Sequence, residues 1–174
     1  MSLLTILAIS FLTGSLIKLS DDITDKKMAI PGFFAIPSGL IYGLLMGYMM
    51  AIDIGASYLF GGIVLGCLVT GKIDTNGHYF GLLGILVVIF YYGIYPSPLI
   101  LLIGAIAAMD ELKDIIQVPT SLEFIFDYRL ILKFGILILV ILNILELNTL
   151  IILLAFDIAY ILTDQLTSRF PNEI

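Results

Sequence analysis

The sequence predicts an all-α fold: a polytopic transmembrane helix bundle of about seven helices, forming a single transmembrane domain over residues 1–174. Three observations predict it. The chain is 60% apolar and only 13% charged, against roughly 45–50% and about 25% in ordinary soluble domains. The charged residues punctuate the chain at intervals near the ~20 residues that a bilayer-crossing helix needs. Threading the segments across a membrane then places every basic residue on one face.

The segments follow in order. Met1–Ile17 carries no charge and is followed by Lys18; no basic residue precedes it, so it reads as helix 1 rather than a signal peptide. Met28–Ile52 gives helix 2 and Ile54–Gly71 gives helix 3, both charge-free. Thr75–Met109 is charge-free over 35 residues, too long for one span. Tyr95-Pro96-Ser97-Pro98 divides it into helices 4 and 5, because proline ends helices and makes turns. Leu130–Leu162, with Glu146, Leu147 and Asn148 at its middle, reads as a hairpin of two short helices, 6 and 7.

In this threading the connections alternate between two faces. One carries Lys18, Lys26, Lys27, Lys72, Lys113, Arg129, Lys133 and Arg169, which are all 8 basic residues. The other carries only Asp53 and Glu146. The bias of lysine and arginine makes the loaded face cytoplasmic and puts the N-terminus outside. The chain is thus expected in the cell membrane as a multi-pass protein. A soluble domain, a disordered chain and a nucleic-acid partner are excluded, the last also because a net charge of −6 repels phosphate backbones. The single Cys67 excludes an intramolecular disulfide. Gly39, Gly43 and Gly47 on helix 2, and Gly62 and Gly66 on helix 3, recur every four residues. Small residues at that spacing let helices approach closely in lipid, within one bundle or at a dimer face.

Four polar clusters fall at cytoplasmic helix ends. Asp21, Asp22 and Asp25 follow helix 1; if the helix continues, Asp25 shares a face with each of the other two. Carboxylates so close favour a cation between them, and Mg²⁺ characteristically takes one or two carboxylates plus a substrate phosphate. Asp110 and Asp114, again four apart, follow helix 5 as a second acidic jaw. Between helices 3 and 4, Lys72 is a point charge for phosphate, while Asp74 and His78 are four apart and suited to ligating a metal or exchanging a proton. The bland alternative there is a polar turn made by Asn76-Gly77; the glycine pattern of a P-loop is absent. On helix 7, Asp157 interrupts an apolar run, with Tyr160 and Asp164 on its face. An acid inside a span reads as functional and inward-facing. Arg129 and Lys133 open helix 6 as candidates for pairing with an anion.

Two acidic clusters separated by four helices on the cytoplasmic side resemble the UbiA-type prenyltransferase superfamily. Its first motif, Asn-Asp-x-x-Asp-x-x-x-Asp, is matched at Asp22 and Asp25, with Asp21 in place of the Asn and Ala29 in place of the last Asp. Its second, Asp-x-x-x-Asp, is matched at Asp110 and Asp114. The resemblance implies Mg²⁺ held by Asp21, Asp22, Asp25, Asp110 and Asp114, and a prenyl diphosphate or related lipid phosphate clamped by Lys72 and Arg129. It implies prenyl transfer, with the metal neutralising the departing diphosphate. A second resemblance is to type IV prepilin peptidases: Asp25-Lys26-Lys27-Met28-Ala29-Ile30-Pro31 looks like their Asp…Ile-Pro stretch, and Gly71-Lys72-Ile73-Asp74 stands where they carry Gly-x-Gly-Asp. It implies a proton-sharing dyad of Asp25 and Asp74. A small cation transporter and an accessory membrane subunit are the non-enzymatic alternatives; a polar track from Asp157 to Glu146 would favour transport.

Overall fold

A computed structural model of the chain describes residues 2–25, 30–111 and 119–169. Among these residues it is all-helical, with eight helices and no strand. They are α1 (Leu3–Thr24), α2 (Ala35–Ile52, entered through a 3-10 turn at Gly32–Phe34), α3 (Ile54–Val69), α4 (Asn76–Tyr92), α5 (Pro98–Asp110), α6 (Glu123–Asp127), α7 (Leu130–Ile141) and α8 (Leu147–Thr167). Three stretches are long and apolar enough to cross a membrane: Leu3–Thr24, Gly32–Ile52 and Leu147–Thr167. The helices α3, α4, α5 and α7 are apolar but shorter. At 12 residues, α7 is about 18 Å long at ~1.5 Å per residue, well short of a ~30 Å hydrocarbon layer.

Each expected apolar segment forms a helix, and the boundaries have local causes. Ser2 caps α1 by accepting from the Thr5 N–H, and Asp53 caps α3 by accepting from Ala56 N at 2.7 Å. Pro98 opens α5 behind the Ser97 cap, while Gly93 ends α4 at φ 77°, a conformation that favours glycine. Several boundaries differ from expectation; α2 begins at Ala35, so Ile30–Phe34 of the expected helix 2 lie outside it. The first helix continues seven residues beyond Ile17, carrying Lys18 to Asp22 within it, and Asp25 is its C-cap. Asn76 and Gly77 lie inside the first turn of α4, with Thr75 as N-cap, so the chain reverses at Gly71 (φ 73°) instead. The short α6 is an addition, its five residues too few to carry a periodic signal.

Glycine decides which helices pair. A Cβ on Gly39 would overlap the Gly77 carbonyl, and one on Gly43 would overlap that of Gly81, so α2 and α4 meet backbone to backbone. In the same way Gly62 and Gly66 admit Ile103 and the Gly104 carbonyl of α5. Both stripes serve packing within the bundle. Gly14 on α1 lies against the Phe156 carbonyl of α8, where the Ser10 hydroxyl also donates to Ile152 O at 2.9 Å. The core between these pairs holds Met46, Met49, Phe60, Ile103, Ile136, Ile152 and Phe156. Outside it, large apolar side chains stand exposed, among them Leu4, Phe90, Tyr91, Leu101, Phe134, Ile138 and Ile141.

Candidate functional site

The ends of α1, α3, α5 and α8 and the starts of α4 and α7 gather at one end of the bundle, and their polar side chains form three linked groups. Asp21 centres the first. Its Oδ1 is 3.1 Å from His78 Nε2, and its Oδ2 accepts from the Tyr160 hydroxyl at 2.9 Å. The other ring nitrogen, His78 Nδ1, is 3.1 Å from the Tyr42 hydroxyl. The chain Tyr42–His78–Asp21–Tyr160 therefore ties α2, α4, α1 and α8 together. Glycine again makes room: a Cβ on Gly81 would overlap the Tyr42 ring, and one on Gly77 would overlap the Ser20 hydroxyl.

Glu111, just past α5, centres the second group. Its carboxylate is 3.5 Å from Lys72 Nζ and 3.9 Å from an Arg129 terminal nitrogen. Burial works against the Arg129 charge, but its neighbours together, Tyr160 and Glu111 foremost, outweigh it and hold the guanidinium pKa above its ordinary value. The third group is Lys18, paired with Asp22 at 3.0 Å and Asp164 at 2.6 Å, while Thr167 donates to Asp22 at 2.5 Å. Tyr160 joins all three groups, its ring lying 5.2 Å from the Arg129 guanidinium carbon and 5.3 Å from Lys18 Nζ.

A cavity of about 240 Å³ opens between these helices. Its polar wall is Asp21, His78, Tyr42, Tyr160, Lys72, Glu111 and Arg129. Its apolar wall is Ile17, Met46, Ile63, Ile85 and Phe156. Ile17, Met46, Ile85 and Phe156 each lie one or two turns from a polar member of the same helix, Asp21, Tyr42, His78 and Tyr160 respectively. The cavity is thus charged at the rim and apolar within. A more open cleft of about 710 Å³ adjoins it, with Lys72, Glu111, Arg129 and Tyr160 as the shared wall and Lys18, Asp110 and Asp164 beyond.

Among the residues expected to act together, some meet and others part. Lys72 and Arg129 converge on one carboxylate. Asp21 and Asp22 diverge, because adjacent positions on a helix face different ways: Asp21 faces α4 and α8, whereas Asp22 is fully buried beside Lys18 and Thr167. Asp25 is exposed at the end of α1, and its charge and that of Asp74 both reach His78. Asp110 turns to α7, where its two oxygens accept from Ile131 N at 3.1 Å and Leu132 N at 2.8 Å. Asp114 lies outside the described residues. The Asp157–Tyr160–Asp164 face spreads over three partners: Lys133 of α7, Asp21 of α1 and Lys18 of α1. Lys133 also donates to Tyr128 O at 2.5 Å. Among the described residues, no three His, Cys, Asp or Glu side chains converge as a metal-binding group. Of the carboxylates expected to hold Mg²⁺, Asp21, Asp22 and Asp110 face separate neighbours among the described residues.

Tyr42 and Glu111 complete the site without having been singled out in the sequence. Tyr42 sits inside a charge-free span, and its only signal is a hydroxyl within the Gly39–Gly43–Gly47 stripe. Glu111 is one acid among several, and nothing in its spacing distinguishes it. Comparison with known proteins adds no relative: no family model, no curated protein and no solved structure matches the chain.

Proposed function

We propose that the protein is a multi-pass membrane protein of the cell membrane that binds a lipid bearing a phosphate headgroup, a prenyl diphosphate or another lipid phosphate, and acts on that phosphate as an enzyme. The observation that carries this reading is a cavity with Lys72 and Arg129 at its rim and Ile17, Met46, Ile63, Ile85 and Phe156 within. Two cations beside one opening suit a phosphate, and guanidinium offers it paired N–H donors. Apolar walls suit a hydrocarbon chain entering from the bilayer. Exposed Leu, Ile and Phe side chains around the bundle suit a lipid solvent. In the membrane the segments cross as read from the sequence, with the cavity's rim on the cytoplasmic side and α7 paired with α8 as a hairpin.

The chemistry at the rim follows from its residues. Lys72 and Arg129 orient the phosphate and offset its charge. His78, held between Asp21 and Tyr42, is the group able to pass a proton at the wall.

The test is calorimetric titration of a non-hydrolysable prenyl diphosphate into the detergent-solubilised protein, with and without Mg²⁺. Saturable binding that weakens at least tenfold in both Lys72→Met and Arg129→Met, with both variants still folded, is the expected result. Binding indifferent to both substitutions, or no binding at all, would overturn the reading. The Mg²⁺ arms report whether the acids at the rim recruit a metal together with the headgroup.

A further inference from the structure

We infer that Glu111 is a built-in competitor for the phosphate site: its carboxylate occupies the Lys72–Arg129 pair in the empty protein and is displaced when an anionic headgroup binds. The inference rests on the reading of the cavity given above and goes beyond it by assigning a role that opposes binding.

Three observations carry it. Among the described residues, Glu111 pairs with both cations, at 3.5 Å from Lys72 and 3.9 Å from Arg129. Charge-assisted hydrogen bonds settle at about 2.7–2.9 Å, so Glu111 holds the cations in place without forming the short contacts that a phosphate would. It also caps the C-terminal end of α5, its backbone N–H donating to Ala108 O and Met109 O. A carboxylate at that end faces the negative pole of the helix and is disfavoured there. Finally, Glu111 lines both the cavity and the adjoining cleft, so a displaced side chain would have the cleft to turn toward.

The balance of charge explains why such a residue belongs there. Lysine and arginine brought together next to an apolar cavity repel each other and hold water strongly. A carboxylate between them keeps the empty site compact. It also sets a threshold, since an incoming anion must pair with the cations better than Glu111 does.

The test compares the parent protein with Glu111→Gln, which keeps the shape and removes the charge. Dodecyl phosphate is titrated into each protein in neutral maltoside micelles, and inorganic phosphate is titrated in parallel. Glu111→Gln is expected to bind dodecyl phosphate about tenfold tighter than the parent. In a Lys72→Met background the same substitution is expected to gain less, because part of what Glu111 competes for is gone. Tightening for dodecyl phosphate alone identifies a lipid headgroup as the ligand, and equal tightening for inorganic phosphate identifies a free phosphate; either outcome supports the role of Glu111. Unchanged or weaker binding in Glu111→Gln overturns it, weakening being what a residue that helps hold the ligand would give. If Glu111→Gln does not fold, Glu111→Asp retracts the carboxylate by one methylene and is expected to tighten binding about threefold; no change or a loss then overturns the inference. Absence of binding to parent and variant alike would overturn the phosphate-lipid reading itself, which separates the two failures.

Discussion

Asp110 illustrates how one residue can satisfy a sequence motif and still be used differently by its surroundings. It stands four positions before Asp114, as a paired acidic motif requires. Its oxygens nonetheless accept from the Ile131 and Leu132 N–H groups, which are among the first-turn donors of α7 that no residue within that helix can satisfy. Arg129, the residue preceding α7, is left-handed at φ 48° and makes no side-chain cap, so the cap comes from another helix. A carboxylate there also meets the positive end of the helix. Asp110→Ala is therefore expected to lower stability by about 1–2 kcal/mol, read as an earlier unfolding transition in detergent. Asp110→Asn, which retains one acceptor, is expected to lose less. Equal stability of Asp110→Ala and the parent would remove the capping role.

At the scale of elements, the glycine pairs set the architecture. On the proposed membrane reading, the helices gain little from burying apolar surface against one another, so close backbone approach and dispersion take over. Gly43 against Gly81 is the tightest test of this, because a methyl group at Gly43 meets a carbonyl and its backbone atoms rather than a side chain that can rotate away. Gly43→Ala is expected to destabilise the bundle by about 1–3 kcal/mol through forced separation of α2 from α4. Gly32 has open space where its Cβ would be, so Gly32→Ala is expected to leave stability unchanged. Both are measured by denaturing-detergent titration; similar midpoints for the two variants would contradict the packing account. The separation of α2 from α4 would also move Tyr42 away from His78, so Gly43→Ala is expected to disturb the site as well as the fold.

At the scale of the whole molecule, alternation of the helices brings Lys18, Lys72 and Arg129 to one end of the bundle, with Asp53 capping α3 at the other end. On the proposed reading of the chain as a multi-pass membrane protein, the positive-inside bias puts the cavity rim on the cytoplasmic side. In a Cys67→Ser background, Glu146→Cys is expected to react with an impermeant maleimide added outside intact cells. Arg169→Cys is expected to react only after the membrane is permeabilised. The reverse pattern would invert the orientation and place the site outside.

The sequence by itself determined the all-helical class and the position of nearly every helix, because apolar run length, charge spacing and proline are local signals. It also marked Gly39, Gly43, Gly47, Gly62 and Gly66 as packing positions, since a four-residue repeat of small side chains has few other uses in a helix. It put Lys72 and Arg129 forward as phosphate partners, and those two do come together. What only the tertiary structure decided is which acid faces which neighbour. Asp21 and Asp22 are equivalent in a motif, but about 100° of helix rotation sends one to His78 and the other to Lys18 and Thr167. Tyr42 and Glu111 had no signal of their own, because their roles exist only once α4 and α7 have been packed beside them. Motif spacing specifies positions along one helix; the distances that make a site run between helices, and packing alone sets those.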